Sequence, residues 1–228
     1  MRTTPQKILT TIKTEFLHIL FPPSCSICNQ PSTNFLCHDC YQKLQESQYP
    51  HQQFISRFGD RIYCASRYSK QASHLITSLK YQKNYPAAKW IAAFLLPLLE
   101  SVIPFSHLQD TTIVPVPISM HKKLSRGYNQ CEMIAQSLSS ITGIPYDSNS
   151  LLRKPYIFDK DQIGLSRKHR ESNPTCQFIW SGKKIYPSVI LVDDICTTGK
   201  TLFECRKAIQ EKNPTCEVTS IVFAHPEG

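Results

Sequence analysis

The chain has 228 residues, 41% of them hydrophobic and 19% charged, with a formal net charge of +9. Those values exclude a disordered chain and allow one main domain with a small appendage, since domains commonly run about 100–200 residues. The basic excess sets an anionic partner as the expectation, whether nucleic acid, a phosphorylated metabolite or a membrane surface, and does not choose among them.

In residues 5–20 the apolar positions Ile8, Ile12, Leu17 and Leu20 predict a short amphipathic helix, ended by Pro22 and Pro23. Lys7, Lys13, Glu15 and His18 interrupt the apolar pattern, so a secretory signal peptide is not expected. The most apolar run, Trp90 to Ile103, contains Pro97 and Glu100 and is shorter than the ~20 residues that cross a bilayer. A cytoplasmic protein without membrane insertion is the expectation.

Of the ten cysteines, Cys25, Cys28, Cys37 and Cys40 form two C-x-x-C pairs separated by eight residues. Each pair presents two thiolates from one tight turn, and four thiolates satisfy tetrahedral Zn(II). Such a site is closed, so its expected role is structural. Disulfides are the competing reading, disfavoured in a reducing compartment. His38 lies inside the cluster, but the spacing favours the cysteines. The polar stretch Leu44 to Gln53 follows and is read as a loose domain boundary. Residues 1–50 would be an N-terminal helix and zinc module, and residues 51–228 the main domain.

From Asp60 onward the pattern is α/β. Arg61 to Tyr68 reads as a strand, Ser73 to Lys80 as a helix, and Ala87 to about Val102 as another, bent or restarted near Pro97. Thr112 to Val116 is a buried-strand candidate, and Cys131, Ile134, Ala135 and Leu138 follow at helical spacing up to Gly143, a C-cap. Val189 to Val192 is a strand, Leu202, Cys205 and Ile209 line a helix stopped by Asn213 and Pro214, and Val218 to Phe223 is a strand. Two strand–turn–helix units predict a parallel sheet flanked by helices.

The stretch VILVDDICTTGKT, Val189 to Thr201, sets two acids where an apolar strand ends. Ligands of open α/β sheets bind at the carboxyl ends of the strands, where turns into helices aim N–H groups outward. Behind Asp193 and Asp194 the turn offers the hydroxyls of Thr197, Thr198 and Thr201, and Gly199 lets the main chain approach a phosphate. The two carboxylates would repel a bare phosphate, so a ligand bearing hydroxyls or a metal beside its phosphate fits, as a sugar phosphate does. A Walker A loop needs glycine five positions before Gly199, where Asp194 stands, and is excluded. Helix capping alone needs one acid and no threonine cluster.

This stretch resembles the phosphoribosyl pyrophosphate (PRPP) motif of type I phosphoribosyltransferases. The resemblance implies that Asp193 and Asp194 hold the ribose hydroxyls and that Ile195, Cys196, Thr197, Thr198, Gly199, Lys200 and Thr201 surround the 5-phosphate, with Mg(II) accompanying PRPP. LFPPSCSIC and CHDC, the segment around Lys80, VPVP followed by RGYNQ, and DQIGLSRKHRESNPTCQF extend the resemblance to the ComF family of competence-associated proteins over nearly the whole chain. By that resemblance the loop Val116, Pro117, Ile118 and Ser119 contacts pyrophosphate, with Arg126 beside it and Lys122, Lys123 and Asn129 nearby. Gln162, Arg170 and Asn173 match the family pattern in a charge-rich stretch, Tyr156 to Phe178, read as a lid.

The fold implied is a type I phosphoribosyltransferase-like α/β domain with a small four-cysteine module. The function implied is uptake or processing of single-stranded DNA in natural transformation, alongside other competence proteins such as a DNA helicase. The basic charge fits a DNA groove, and Tyr81, Tyr85 and Tyr128 lie near basic residues that could stack on bases. The alternative is an active Mg-dependent phosphoribosyltransferase with an unidentified acceptor: nothing in the chain reads as a nucleobase pocket or a glutamine amidotransferase domain.

Overall fold

A computed structural model describes residues 24–103, 109–154 and 177–226. The helix expected in residues 5–20 and the candidates Gln162, Arg170 and Asn173 lie outside the described residues.

After the cysteine segment come α1 (His38–Glu46), β1 (Gln48–Ile55), β2 (Arg61–Arg67), α2 (Lys70–Tyr81), α3 (Pro86–Val102) and β3 (Thr111–Pro115). The chain continues through α4 (Met120–Arg126), α5 (Gln130–Thr142), β4 (Leu151–Arg153), β5 (Phe178–Trp180), β6 (Ser188–Ile195), α6 (Lys200–Lys212) and β7 (Glu217–His225). The main sheet has the order β1-β2-β7-β6-β3, and β4 pairs with β5 in a separate two-stranded sheet. β2, β7, β6 and β3 run parallel, while β1 is an antiparallel edge.

Strands β3, β6 and β7 are buried on both faces, and their alternation divides two cores. Ile190 and Val192 point into one cluster with Ile113, Ile221 and Phe223, covered by Leu75 and Leu79 of α2, Ile91 and Leu95 of α3 and Ile134 and Leu138 of α5. Val189 and Leu191 point into the other with Val114, Val218 and Val222, covered by Leu202, Cys205 and Ile209 of α6 and by Leu151, Phe178 and Trp180 of the small sheet. Central parallel strands need apolar residues at consecutive positions because helices cover both faces.

Local signals set the helix ends. Ser69 accepts a hydrogen bond from the Ala72 N–H at the start of α2, Pro86 opens α3, and Asn129 accepts from the Cys131 N–H at the start of α5. Gly143 closes α5 in the left-handed region, as the sequence predicts. α3 is a single helix through Pro97, with Leu95, Leu98 and Leu99 buried around that residue.

The polar stretch Leu44 to Gln53, where the sequence places a loose boundary, carries regular structure. Within it α1 runs to Glu46 and β1 begins at Gln48. β1 lies at the sheet edge, where polar composition is tolerated, and its register shifts between Gln48 and Gln52, around Pro50. Cys25, Leu36, Cys40 and Leu44 join the same core cluster as α2 and α3. Phe35 stacks on Trp90 at 6.0 Å and Tyr41 meets the same ring edge-on at 5.7 Å, so the cysteine segment packs directly on α3.

Candidate functional site

The acids close β6 at the carboxyl edge of the sheet. Asp194 is 3% exposed, and Asp193 pairs in register with Val222 of β7. The Asp194 N–H donates to Asp193 Oδ1 at 2.9 Å, and the Cys131 thiol donates to the same oxygen at 3.1 Å. Lys80, from the last turn of α2, places Nζ 2.5 Å from Asp194 Oδ2, an oxygen with no hydrogen-bond partner beyond this ion pair. Three elements, α2, α5 and β6, therefore converge on two carboxylates.

This crowding shifts the groups. Burial and the neighbouring Asp194 carboxylate push Asp193 up to about 7. Burial, reinforced by both carboxylates, holds the Cys131 thiol well above its ordinary value. Burial opposes the Lys80 charge, but Asp194 outweighs it and raises the ammonium above its usual range.

The turn after β6 is anchored on two sides. The Cys196 N–H donates to the Ala224 carbonyl at 3.1 Å, and the Cys196 carbonyl accepts from His225 Nδ1 at 2.8 Å. His225 stacks on Phe54 at 3.8 Å, which ties the turn to β1. Gly199 has φ +82°, and a Cβ there would lie 2.5 Å from Ser56 Cβ, so both conformation and space require glycine. Thr197, Thr198, Lys200 and Thr201 are exposed. No side chain caps the start of α6, and the Lys200 N–H reaches Thr198 Oγ1 at 3.4 Å. Phe58 stacks on Phe203 at 5.0 Å and Arg206 meets Asp60 at 2.8 Å, holding the β1–β2 turn against the first turns of α6.

The loop after β3 lies beside this edge. The Val116 N–H donates to the Val192 carbonyl at 2.9 Å, while the Val116 carbonyl accepts from Asn129 Nδ2 at 3.0 Å. Pro117, Ile118 and Ser119 are half-buried, and Ser119 caps α4. Arg126 donates to Gln130 Oε1 at 2.9 Å and lies over the Tyr81 ring at 5.0 Å. Tyr128 donates through its hydroxyl to the Leu79 carbonyl and meets Tyr85 edge-on at 5.4 Å. RGYNQ thus joins the end of α2, the loop after β3 and the start of α5.

The structure brings Lys80, Val116, Cys131, Asp193 and Asp194 to one sheet edge. Sequence reasoning placed Cys131 only on a helix face. Its position two residues after the capping Asn129 is the signal that it sits at the ligand end of α5. Ser56 and Asp60 carried no sequence signal, because their roles depend on a hairpin turn reaching α6.

In the cysteine segment all four thiols are free, and their sulfurs lie within 4.8 Å of one another. Cys28 Sγ is 3.6 Å from Cys37 Sγ, close to the ~3.8 Å edge of a tetrahedron with 2.3 Å metal–sulfur bonds. Burial opposes ionisation of Cys25, but N–H donors from Cys28, Cys37 and Ile27 outweigh it and bring the thiol down to about 6. The four-cysteine cluster can hold a metal ion, and His38 is not among its members. Among the described residues no helix is long and apolar enough to cross a membrane.

No protein-family model matches the chain. It is 29% identical over 202 residues to Competence protein F of Haemophilus influenzae, covering 86% of this chain and 87% of that one. It is 26% identical to DNA utilization protein YhgH of Escherichia coli K12, over 79% of this chain and 81% of that protein. Competence protein ComFC of Bacillus subtilis is 22% identical over 87% of this chain and 76% of its own. Among solved structures, adenine phosphoribosyltransferase from Saccharomyces cerevisiae aligns with 83% of this chain and 89% of its own, at 12% identity and a TM-score of 0.38, a loose likeness.

Proposed function

We propose that this chain, which belongs to the ComF family, aids uptake or processing of single-stranded DNA in natural transformation and holds PRPP with Mg(II) at the acidic edge of its sheet. The observation that carries the ligand assignment is the pairing of Asp193 and Asp194 at the end of β6 with a hydroxyl-rich turn whose Gly199 admits no Cβ. The carboxylates suit the ribose hydroxyls, and the residues from Ile195 to Thr201 suit the 5-phosphate at the positive end of α6.

The loop from Val116 to Ser119, with Arg126 nearby, is assigned to pyrophosphate. Gln162, Arg170 and Asn173 are assigned to a covering segment. Mg(II) bound with PRPP would neutralise charge on the pyrophosphate. It prefers oxygen ligands, which Asp193 and Asp194 offer, while the Cys131 thiol is held protonated by burial and so fits a positioning role for Asp193. The four cysteines suit a structural Zn(II), their number and spacing matching its tetrahedral preference. DNA and other competence proteins such as a helicase are the proposed partners, and the cytoplasm is the proposed location.

Calorimetric titration with PRPP, with and without Mg(II), beside an Asp193→Ala, Asp194→Ala double variant tests the ligand assignment. Saturable binding lost in the folded variant supports it, and no binding to zinc-loaded protein overturns it. Loss of transformation in a deletion strain is the cellular expectation, and unchanged DNA uptake and recombination would count against that role.

A second reading, an active phosphoribosyltransferase, is favoured by one observation. Asp193, Asp194 and the exposed threonines of the following turn stand together at the carboxyl edge of the sheet, where a bound PRPP could meet an acceptor. Pyrophosphate release that depends on an added base or amine is its test.

A further inference from the structure

The basic excess of the chain gathers where α2 ends beside α4. The sequence holds no Asp or Glu between Asp60 and Glu100, nor between Asp110 and Glu132, and these two acid-free stretches contain α2 and α4. The acids that lie against them, Asp193 and Asp194, are engaged with Cys131 and Lys80. Lys83, Lys122 and Lys123 are exposed, and none of the three forms an ion pair among the described residues. A field of one sign over a continuous surface suits an anionic partner.

The two elements are locked together. Tyr128, just after α4, donates through its hydroxyl to the Leu79 carbonyl of α2. Arg126, the last residue of α4, lies over the Tyr81 ring at 5.0 Å and donates to the Tyr81 hydroxyl at 3.3 Å. Lys122 and Lys123 stand one helical turn before Arg126 and so share its side of α4. Tyr81 is 68% exposed, so the guanidinium takes one face of the ring and the other is open to solvent. A ring fixed at its hydroxyl and backed by a cation is a platform for a nucleobase, and the neighbouring lysines suit the phosphates on either side of that base.

α4 buries none of its residues and also exposes Met120 and Leu124, which would suit an anionic membrane surface. A lipid headgroup brings no flat group to Tyr81, whereas a single strand brings one with every phosphate. A duplex keeps its bases stacked inside and cannot present one without unpairing.

We infer that the end of α2 and the exposed side of α4 form the contact surface for single-stranded DNA, with a base stacked on Tyr81 and phosphates on Lys122 and Lys123. This rests on the reading that the protein handles single-stranded DNA. It sets the strand beside the loop assigned to pyrophosphate, because Ser119 ends that loop and caps α4.

The test is fluorescence anisotropy of an end-labelled thymidine oligomer of about 12 nucleotides, within the span that single-strand sites cover. The zinc-loaded full chain is titrated across a salt series. The Lys122→Ala, Lys123→Ala variant, altered only at exposed positions, should lose about tenfold or more in affinity, and its log–log salt slope should shrink by about 1.4 for two phosphates. Tyr81→Ala should weaken binding about fivefold or more with the slope unchanged, while Tyr81→Phe, which keeps the ring, should stay within about twofold of the parent. The Asp193→Ala, Asp194→Ala variant should keep its affinity, and a loss there as large as that of the lysine variant would move the strand to the PRPP edge. If the parent binds and the lysine variant keeps its affinity and slope, this surface is refuted while the DNA-handling role stands. If the parent shows no salt-dependent binding, both fall. Equal competition by a duplex of the same length would overturn the choice of a single strand. Phosphatidylglycerol vesicles that bind the parent and not the lysine variant, with Tyr81→Ala holding the oligomer as the parent does, would give the surface to a membrane instead.

Discussion

Lys80 Nζ lies 2.5 Å from Asp194 Oδ2, with side chains 16% and 5% exposed, so a carboxylate assigned to the ribose is neutralised by the protein's own ammonium. Cys131 and Asp193 complete the cluster on its other side. A ligand that takes Asp194 must therefore compete with Lys80, and the cluster is a structural joint between α2 and β6 as much as a binding surface.

Breaking that pair from one side leaves a buried charge without a counterion. Lys80→Met should lower stability by about 3 kcal/mol, a fall in Tm of about 6–12 °C for a chain of this size. The double variant Lys80→Met, Asp194→Asn should be more stable than Lys80→Met alone, because no charge is left unpaired. Urea titrations of the four proteins in the cycle measure this coupling, and single effects that simply add in the double variant would show that the pair is not coupled.

Asp193 predicts a pH dependence of the opposite sense to an ordinary paired carboxylate. Its folded value, about 7, lies above the 3.8 of an unperturbed aspartate, so between those values the folded chain binds more protons than the unfolded chain. Its contribution to stability is therefore full below about pH 4 and falls as pH rises towards 7. Asp193→Asn should remove that part of the slope. Thermal melts of both proteins across this window check it, and parallel curves would refute the shift.

Gly199 is required for two reasons that add. A residue with a Cβ pays about 1–2 kcal/mol for the left-handed backbone, and the 2.5 Å approach to Ser56 Cβ forces either β1 or the turn to move. Gly199→Ala should lower stability by about 2–4 kcal/mol and abolish PRPP binding. Lys200→Ala, at an exposed position one residue on, should leave stability within about 0.5 kcal/mol of the parent. Calorimetry and denaturant melts of the two variants separate the cases.

The strands of the sheet interior were legible in the sequence because burial on both faces demands consecutive apolar residues. VILV before Asp193 and TIVP before Val116 announce themselves for that reason. β1 did not, because an edge strand with Pro50 and a register shift needs no apolar face. α4 also escaped, since none of its residues is buried and its pattern carries no amphipathic signal. At the site, Asp193 and Asp194 were legible from their place after an apolar run. The Lys80 contact was not, because it joins residues 114 positions apart through packing that only the assembled sheet and helices define.

The four-cysteine cluster and the main core share side chains, which sets the last prediction. Cys25, Cys40 and Leu44 belong to the cluster that includes Ile91 and Leu95 of α3, and Phe35 and Tyr41 both contact Trp90. Where Zn(II) is bound, its removal would untie the four sulfurs, with burial and the neighbouring thiols returning Cys40 to its protonated form, and would loosen the turns that carry these rings. A strong chelator should therefore lower Tm and change the fluorescence of Trp90, with one equivalent of metal released per chain. Trp180 packs on Tyr186 in the other core, so a Trp180→Phe variant leaves Trp90 as the reporter. Cys28→Ser, at an exposed sulfur, should reproduce the loss without a core substitution. Unchanged Trp90 emission after complete metal removal would show that the cysteine site and α3 are not mechanically linked.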